Sequence, residues 1–237
     1  MGTILNVYGG DGDDVFDTDR DQAVTDLLGF ATLEGDAGND KMTMLEFPTK
    51  MYGYGGADDD KIIFFNNPMV KVAGDDGSDI IYGNDGLGAA VGPPSAHKVY
   101  GDETFVAISA DADLAGVGGD DKIYGGSDIL MGPTIYAGGP GNDLISMGSN
   151  LTGAFTVTGD NYNTPGMILT EDETGLNQAD GDDIIILGNN MRGTSKVYGQ
   201  GGNDKIIGGW ADAAGASQDE FLYGGSGDDK VWLVSPE

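Results

Sequence analysis

The chain has 237 residues, 40 acidic against 11 basic, a formal charge of −29 at pH 7, 43 glycines and no cysteine. That charge speaks against nucleic acid and anionic membranes as partners, and the missing cysteine excludes disulfides and thiolate metal sites. No apolar run approaches the roughly 18 residues of a transmembrane helix, so no membrane insertion is expected.

Taken in chain order, one unit recurs: a strand, a glycine-rich acidic turn, a second strand. Val7-Tyr8-Gly9 leads into GGDGDD at 9–14, and Leu33-Glu34-Gly35 into GDAGND at 35–40. Turns follow at GGADDD (55–60), at GDDGSD (74–79, after Val72-Ala73-Gly74) and in shortened form at 118–121. Tyr136-Ala137-Gly138 opens GGPGND at 138–143, and a second short turn lies at 181–183. Val197-Tyr198-Gly199 opens GQGGND at 199–204, and Leu222-Tyr223-Gly224 opens GGSGDD at 224–229.

Each turn closes on an aspartate: Asp14, Asp40, Asp60, Asp79, Asp121, Asp143, Asp183, Asp204 and Asp229. Two residues earlier stand Gly12, Gly38, Gly77, Gly119, Gly141, Gly181, Gly202 and Gly227, with Asp58 as the exception. Two residues later stand Phe16, Met42, Ile62, Ile81, Ile123, Ile145, Ile185, Ile206 and Val231, apolar every time. Out–in alternation straight after an acidic turn reads as a half-buried strand. Glycine suits a turn that needs positive φ and lets carbonyls converge on an ion.

The anchors are 26, 20, 19, 42, 22, 40, 21 and 25 residues apart. A spacing near 20 suits one solenoid coil, and the two double gaps read as insertions at about 102–117 and 160–180, or alternatively as two degenerate coils. The expected fold is all-β: a single right-handed parallel β-roll over residues 1–237, of about nine to eleven coils and roughly 43–53 Å long at about 4.8 Å per coil. Short helices are expected only near 19–28 and inside the insertions. The opposite turns are irregular, and a second metal row there is an open alternative. Lys50, Lys71, Lys98 and Lys196 each precede a return strand and are expected to form a surface column.

Carboxylates and carbonyls are hard donors, so multiple Ca²⁺ ions are the expected cofactor. The proposed metal residues are the nine anchors with Gly12, Gly38, Gly77, Gly141, Gly202 and Gly227. The turns resemble the G-G-x-G-x-D-x-U-x nonapeptide of the RTX (repeats-in-toxin) family. That resemblance implies a parallel β-roll with ions between the turns of neighbouring coils. It also implies an extracellular protein exported without a cleaved N-terminal signal peptide; Met1–Asn6 shows no such signal. The family's arrays carry the motif on both sides of the roll, whereas here only one turn per coil keeps it. Ion binding at the irregular turns of Asp60, Asp121 and Asp183 is therefore the least secure.

Nothing points to an enzyme. His97 is the only histidine and sits in a Pro-rich stretch, H-E-x-x-H and G-x-S-x-G are absent, and acidic pairs are too many to single out two. Trp210 reads as a loop anchor and Trp232 as end-coil packing. Three functions compete. The first, and preferred, is a calcium-dependent structural protein that forms a homo-oligomer or head-to-tail polymer in a filament, surface layer or matrix. The second is a folding or secretion module of a larger secreted hydrolase or adhesin. The third is an adhesin for surface polysaccharide. The first is preferred because both ends read as ordinary uncapped strands.

Overall fold

The structure, a computed structural model, describes residues 3–17, 28–45, 50–65, 69–83, 96–100, 119–125, 134–149, 151, 153–160, 181–191, 193–209 and 218–234. Among these there are only strands, numbered β1 to β18 in chain order, and they form two parallel nine-stranded sheets. The first sheet holds β1 (Thr3–Asp11), β3 (Leu28–Ala37), β5 (Lys50–Ala57), β7 (Met69–Asp76), β9 (Ala96–Tyr100), β11 (Thr134–Ala137), β13 (Phe155–Thr158), β15 (Gly193–Gly201) and β17 (Gln218–Ser226). The second holds β2 (Val15–Asp17), β4 (Lys41–Leu45), β6 (Lys61–Phe65), β8 (Ile80–Tyr82), β10 (Lys122–Tyr124), β12 (Leu144–Ser146), β14 (Ile184–Ile186), β16 (Lys205–Gly208) and β18 (Lys230–Leu233). The chain alternates between the sheets, so each odd–even pair with its acidic turn is one coil of a parallel β-roll.

The double gaps are not extra coils. β8 pairs directly with β10, and β12 with β14, although their anchors lie 42 and 40 residues apart. Of the two expected insertions, 102–117 and 161–180 lie outside the described residues; Asp160 is described and belongs to the stack. The expected helix at 19–28 lies there too, save that Leu28 begins β3.

The period-two pattern sets the interior. The residues two after each anchor form one unbroken register column from Phe16 to Val231. Within it Met42, Ile62, Ile81, Ile123, Ile145, Ile185 and Ile206 are fully buried. The first sheet supplies the facing column, in which Leu33, Val72, Tyr136, Val157 and Val197 are buried. Gly53 occupies that column opposite Leu33, and Met44 fills the space its missing side chain leaves. Apolar burial of this kind is worth about 1.5–3 kcal/mol per large side chain. On the outside, Lys41, Lys61, Lys122, Lys205 and Lys230 are exposed, as alternation requires. Tyr82 stacks on Tyr124, and Tyr198 on Tyr223, with ring centroids 5.0 and 4.9 Å apart across neighbouring coils.

The lysine column of the first sheet is corrected in two respects. Lys71 and Lys98 share a register position, but Lys50 sits two residues away from it, opposite Phe30. Lys71 is also buried: its ammonium lies 5.9 and 5.5 Å from the ring centres of Tyr52 and Tyr54, where the aromatic faces replace part of its hydration.

The register gives a paired test. Ile206→Asp places a charge in the fully buried column and should cost more than about 4 kcal/mol, unfolding the surrounding coils. Lys205→Asp, one residue earlier and exposed, should cost less than about 1 kcal/mol. Thermal melts in excess calcium measure both; equal losses would mean that the register is wrong.

A candidate metal row along one edge

Glycine serves the acidic turn in two distinct ways. Gly12, Gly38, Gly77, Gly141, Gly202 and Gly227 all have φ between 99° and 144°, the left-handed region that side chains avoid. Asp58 takes the same place with φ of 79°. The first glycine of each motif is needed for close approach instead. A Cβ on Gly35 would strike Asp40 Oδ2 and the Gly55 carbonyl oxygen; one on Gly199 would strike Asp204 Oδ2 and the Gly224 carbonyl oxygen. Gly9, Gly55, Gly138 and Gly159 stand in the same relation to their own anchor and the next coil.

The anchors form a straight column. Each anchor N–H donates to Oδ1 of the next anchor, from Asp14 N–H to Asp40 through Asp204 N–H to Asp229, at 2.6–3.0 Å. Each anchor carbonyl from Asp14 to Asp204 accepts the N–H of the residue after the next anchor, at 2.8–2.9 Å. The backbone groups and one carboxylate oxygen are thus spent within the stack. The other oxygen is not: Oδ2 of Asp14, Asp40, Asp60, Asp79, Asp121, Asp143, Asp183 and Asp204 is buried with no hydrogen-bond partner. The column includes Asp60, Asp121 and Asp183, so the irregular turns align as well as the regular ones.

A buried carboxylate given a single N–H is poorly compensated. Burial, followed by the charges of neighbouring anchors, pushes Asp60 up to about 7 and Asp79 to about 8 from the ordinary 3.8. Burial likewise raises Asp143 to about 7. Asp183 rises to about 10, through burial and then the charges of Asp143 and Asp160.

These residues fit a hard divalent cation. From each of the six first-glycine positions above, the unpartnered Oδ2 and a carbonyl oxygen of the next coil approach one space that glycine keeps clear. No three acidic or histidine side chains converge among the described residues. The anchors would therefore hold ions singly, with backbone carbonyls completing the oxygen donor set that suits calcium.

A second ladder went unread in the sequence. The residues just before the anchors are Asp13, Asn39, Asp59, Ser78, Asp120, Asn142, Asp182, Asn203 and Asp228, and each from Asp13 to Asn203 accepts, through its side-chain oxygen, the N–H of its counterpart in the next coil, at 2.7–3.1 Å. It runs opposite in direction to the anchor ladder. Acid and neutral residues alternate along it without exception, which keeps its carboxylates about 10 Å apart instead of about 5 Å. Asn142 and Asn203 also donate Nδ2–H to the acid of the preceding coil, both at 3.0 Å. The two bonds from Asn142 hold Asp120 below its ordinary value. The x of G-x-D carried this signal: it is Asp, Asn or Ser every time.

Asp160 reinforces the one coil whose turn is interrupted after it. Its two carboxylate oxygens accept the N–H groups of Gly181 and Gly201, at 3.0 and 3.1 Å. The opposite turns at 147–151 and 187–191 also stack closely, with Gly188 against the Gly148 carbonyl and Asn189 N–H donating to Ser149 Oγ at 3.1 Å. They contain no acidic residue, so the donors of a second row are missing there. Of the other residues singled out, the side chain of His97 and all of Trp210 lie outside the described residues, while Trp232 is 46 % exposed rather than packed at the end of the roll.

Two outcomes follow for the row. Folded Asp60, Asp79 and Asp143 sit above their unfolded value of 3.8, so the metal-free fold takes up protons and its stability falls as pH rises from near 4 through about 7–8. In chelator, circular dichroism should show more β-structure at pH 5.5 than at pH 8. Calcium needs the ionised form, so its midpoint should fall several-fold between pH 6 and pH 8. Asp204→Ala should lose one ion and raise the calcium midpoint about two- to fivefold with the fold retained, a loss on the order of 1 kcal/mol. An unchanged ion count would remove Asp204 from the row.

The RTX calcium-binding nonapeptide repeat matches in four copies, at residues 6–22, 71–86, 192–212 and 215–233. Comparison with curated proteins and with solved structures returns no match. The four copies enclose the turns of Asp14, Asp79, Asp204 and Asp229, and the hydrogen-bonded column brings the other five anchors into line with them. The chain carries RTX calcium-binding nonapeptide repeats, and their turns lie along one edge of a parallel β-roll.

Proposed function

We propose that this chain is an extracellular structural protein that folds when calcium fills the anchor row and then stacks end to end with further copies. One observation carries the reading: eight buried anchor carboxylates each leave an oxygen without a partner. Once ionised, such a column repels itself and needs cations between its members. Nine divalent ions, at two charges each, would offset 18 of the 29 excess negative charges. Extracellular calcium modules bind at about 10⁻⁴–10⁻³ M, which sets folding outside the cell.

The ladders support stacking, because their ends are complementary. At the first coil they leave Asp13 N–H and Asp14 Oδ1; at the last they leave Asp228 Oδ1 and Asp229 N–H. A second copy placed in the same register would continue both. Apolar side chains flank the junction, with Ile4 67 % and Val15 72 % exposed at one end and Leu233 71 % exposed at the other. Such a head-to-tail contact propagates unless rotation closes it. The reading assigns no catalysis.

Calcium titration with circular dichroism and light scattering recorded together tests this reading. In chelator at pH 7.5 the chain should be coil; about millimolar calcium should bring β-structure first and scattering second. A β spectrum in chelator would reject calcium-driven folding. A folded monomer at high concentration in calcium would reject stacking and favour a module of a larger secreted protein.

A further inference from the structure

The outward face of the second sheet is unlike the rest of this acidic chain. It is built by the first and third residues after each anchor, in two columns that run the length of the roll. The first column includes Lys41, Lys61, Lys122, Lys205 and Lys230 and no acid. The second includes Ile63, Tyr82, Tyr124, Ile186, Ile207 and Trp232 and no lysine; Asp17, in the first coil, is the one acid of both columns. Five lysines against one acid leave this face at +4 in a chain of −29.

No residue of the two columns is buried, whereas Lys71, Ala73, Ala137, Thr158 and Tyr198 on the outward side of the first sheet are. Yet Ile80-Ile81-Tyr82 and Ile184-Ile185-Ile186 are apolar on both sides, the pattern of parallel strands with both faces covered. Charge indicates what covers them. Two copies can approach on a +4 face with little of the repulsion their acidic edges would cause. Two rolls laid face to face can keep their lengths aligned in two ways. With the two-fold axis along the strands, the lysine columns would meet and both acidic edges would lie on one side. With the axis along the roll, each lysine column faces the apolar and aromatic column of the other copy, and the acidic edges lie on opposite sides. Lys122 of one copy then meets Tyr124 of the other, and Lys230 meets Trp232. The face already makes this contact within one chain: the Lys61 ammonium lies 5.3 Å from the ring centre of Tyr82.

We propose that this face binds the same face of a second copy, with the two rolls side by side and pointing the same way. The contact is isologous. It is independent of the end-to-end contact and leaves both ends of each roll free. A strip of nine coils, about 43 Å long, and three residues, about 10 Å wide, covers on the order of 900 Å² over two copies, at the weak end of specific interfaces. Pairing should therefore rise with protein concentration.

Cross-linking of single cysteines in saturating calcium tests the pair on the whole chain, which has no cysteine of its own. Ile63 and Ile186 lie in the third and seventh coils of the second column. With a short bismaleimide, Ile63→Cys and Ile186→Cys should each form covalent dimers several-fold faster than Lys196→Cys, which is exposed on the other sheet. Mixing the two should give no mixed dimer. Adding Lys122→Glu/Lys205→Glu to Ile63→Cys should slow its dimer to the rate of Lys196→Cys. End-to-end stacking sets equal positions nine coils, or about 43 Å, apart. It cannot give these dimers, so its failure would leave the result intact. A mixed dimer, the product of rolls pointing opposite ways, would overturn the proposal. So would rates no faster than that of Lys196→Cys, or rates that the two lysine reversals leave unaltered. Should either isoleucine variant fail to fold, Thr43→Cys and Ile207→Cys, in the second and eighth coils of the same column, carry the same expectations.

Discussion

Seven of the nine coils bury their anchor carboxylate and give it one backbone N–H from the preceding anchor. That is too little to compensate an ion removed from water. The strands alone could stack indefinitely on apolar contacts and parallel hydrogen bonds, but the turn column adds an anion at every step, with the next anion one coil away. A divalent cation relieves the desolvated oxygen and the repulsion between neighbours together. On the proposed reading, fold and ion occupancy are one equilibrium rather than a scaffold with a site added to it.

The glycines follow from the same constraint. One class gives the chain its left-handed turn, as at Gly38 and Gly202. The other has ordinary φ and is glycine only because the next coil's carbonyl and the coil's own carboxylate approach it too closely for a side chain, as at Gly35 and Gly199. Removing bulk at that point brings oxygens from two coils together. The motif thus specifies a turn and also the distance between turns.

Two ladders of opposite direction run side by side along this edge. The inner one is acidic at every step and buried; the outer one alternates acid with amide or hydroxyl and is exposed. Their difference is electrostatic. Water screens the outer carboxylates, and alternation separates them further, so that ladder holds itself together. The inner ladder has neither protection. The proposed calcium sensitivity would therefore lie in the inner column, while the outer column and the Ile-rich interior favour coil spacing whether or not ions are bound.

Much of this was legible in the sequence, because a solenoid repeats its chemistry at each coil. The apolar residue two after each anchor fixed which strand face is buried, and the G-x-x-G-x-D spacing fixed where the turns and their carboxylates fall. The alternating residue at x was equally legible, since no three-dimensional information is needed to see it. Other features depend on which residues of different coils become neighbours. That a separation of 42 residues still leaves Asp79 hydrogen-bonded to Asp121 is decided by strand pairing, because an insertion can leave and rejoin the stack without altering it. That Lys71 is buried on Tyr52 and Tyr54 and that Met44 fills the gap beside Gly53 are likewise matters of register across strands. Sequence periodicity determined what each coil contains; only stacking decided what each coil meets, because those contacts join residues some twenty or more positions apart, whose alignment no local pattern records.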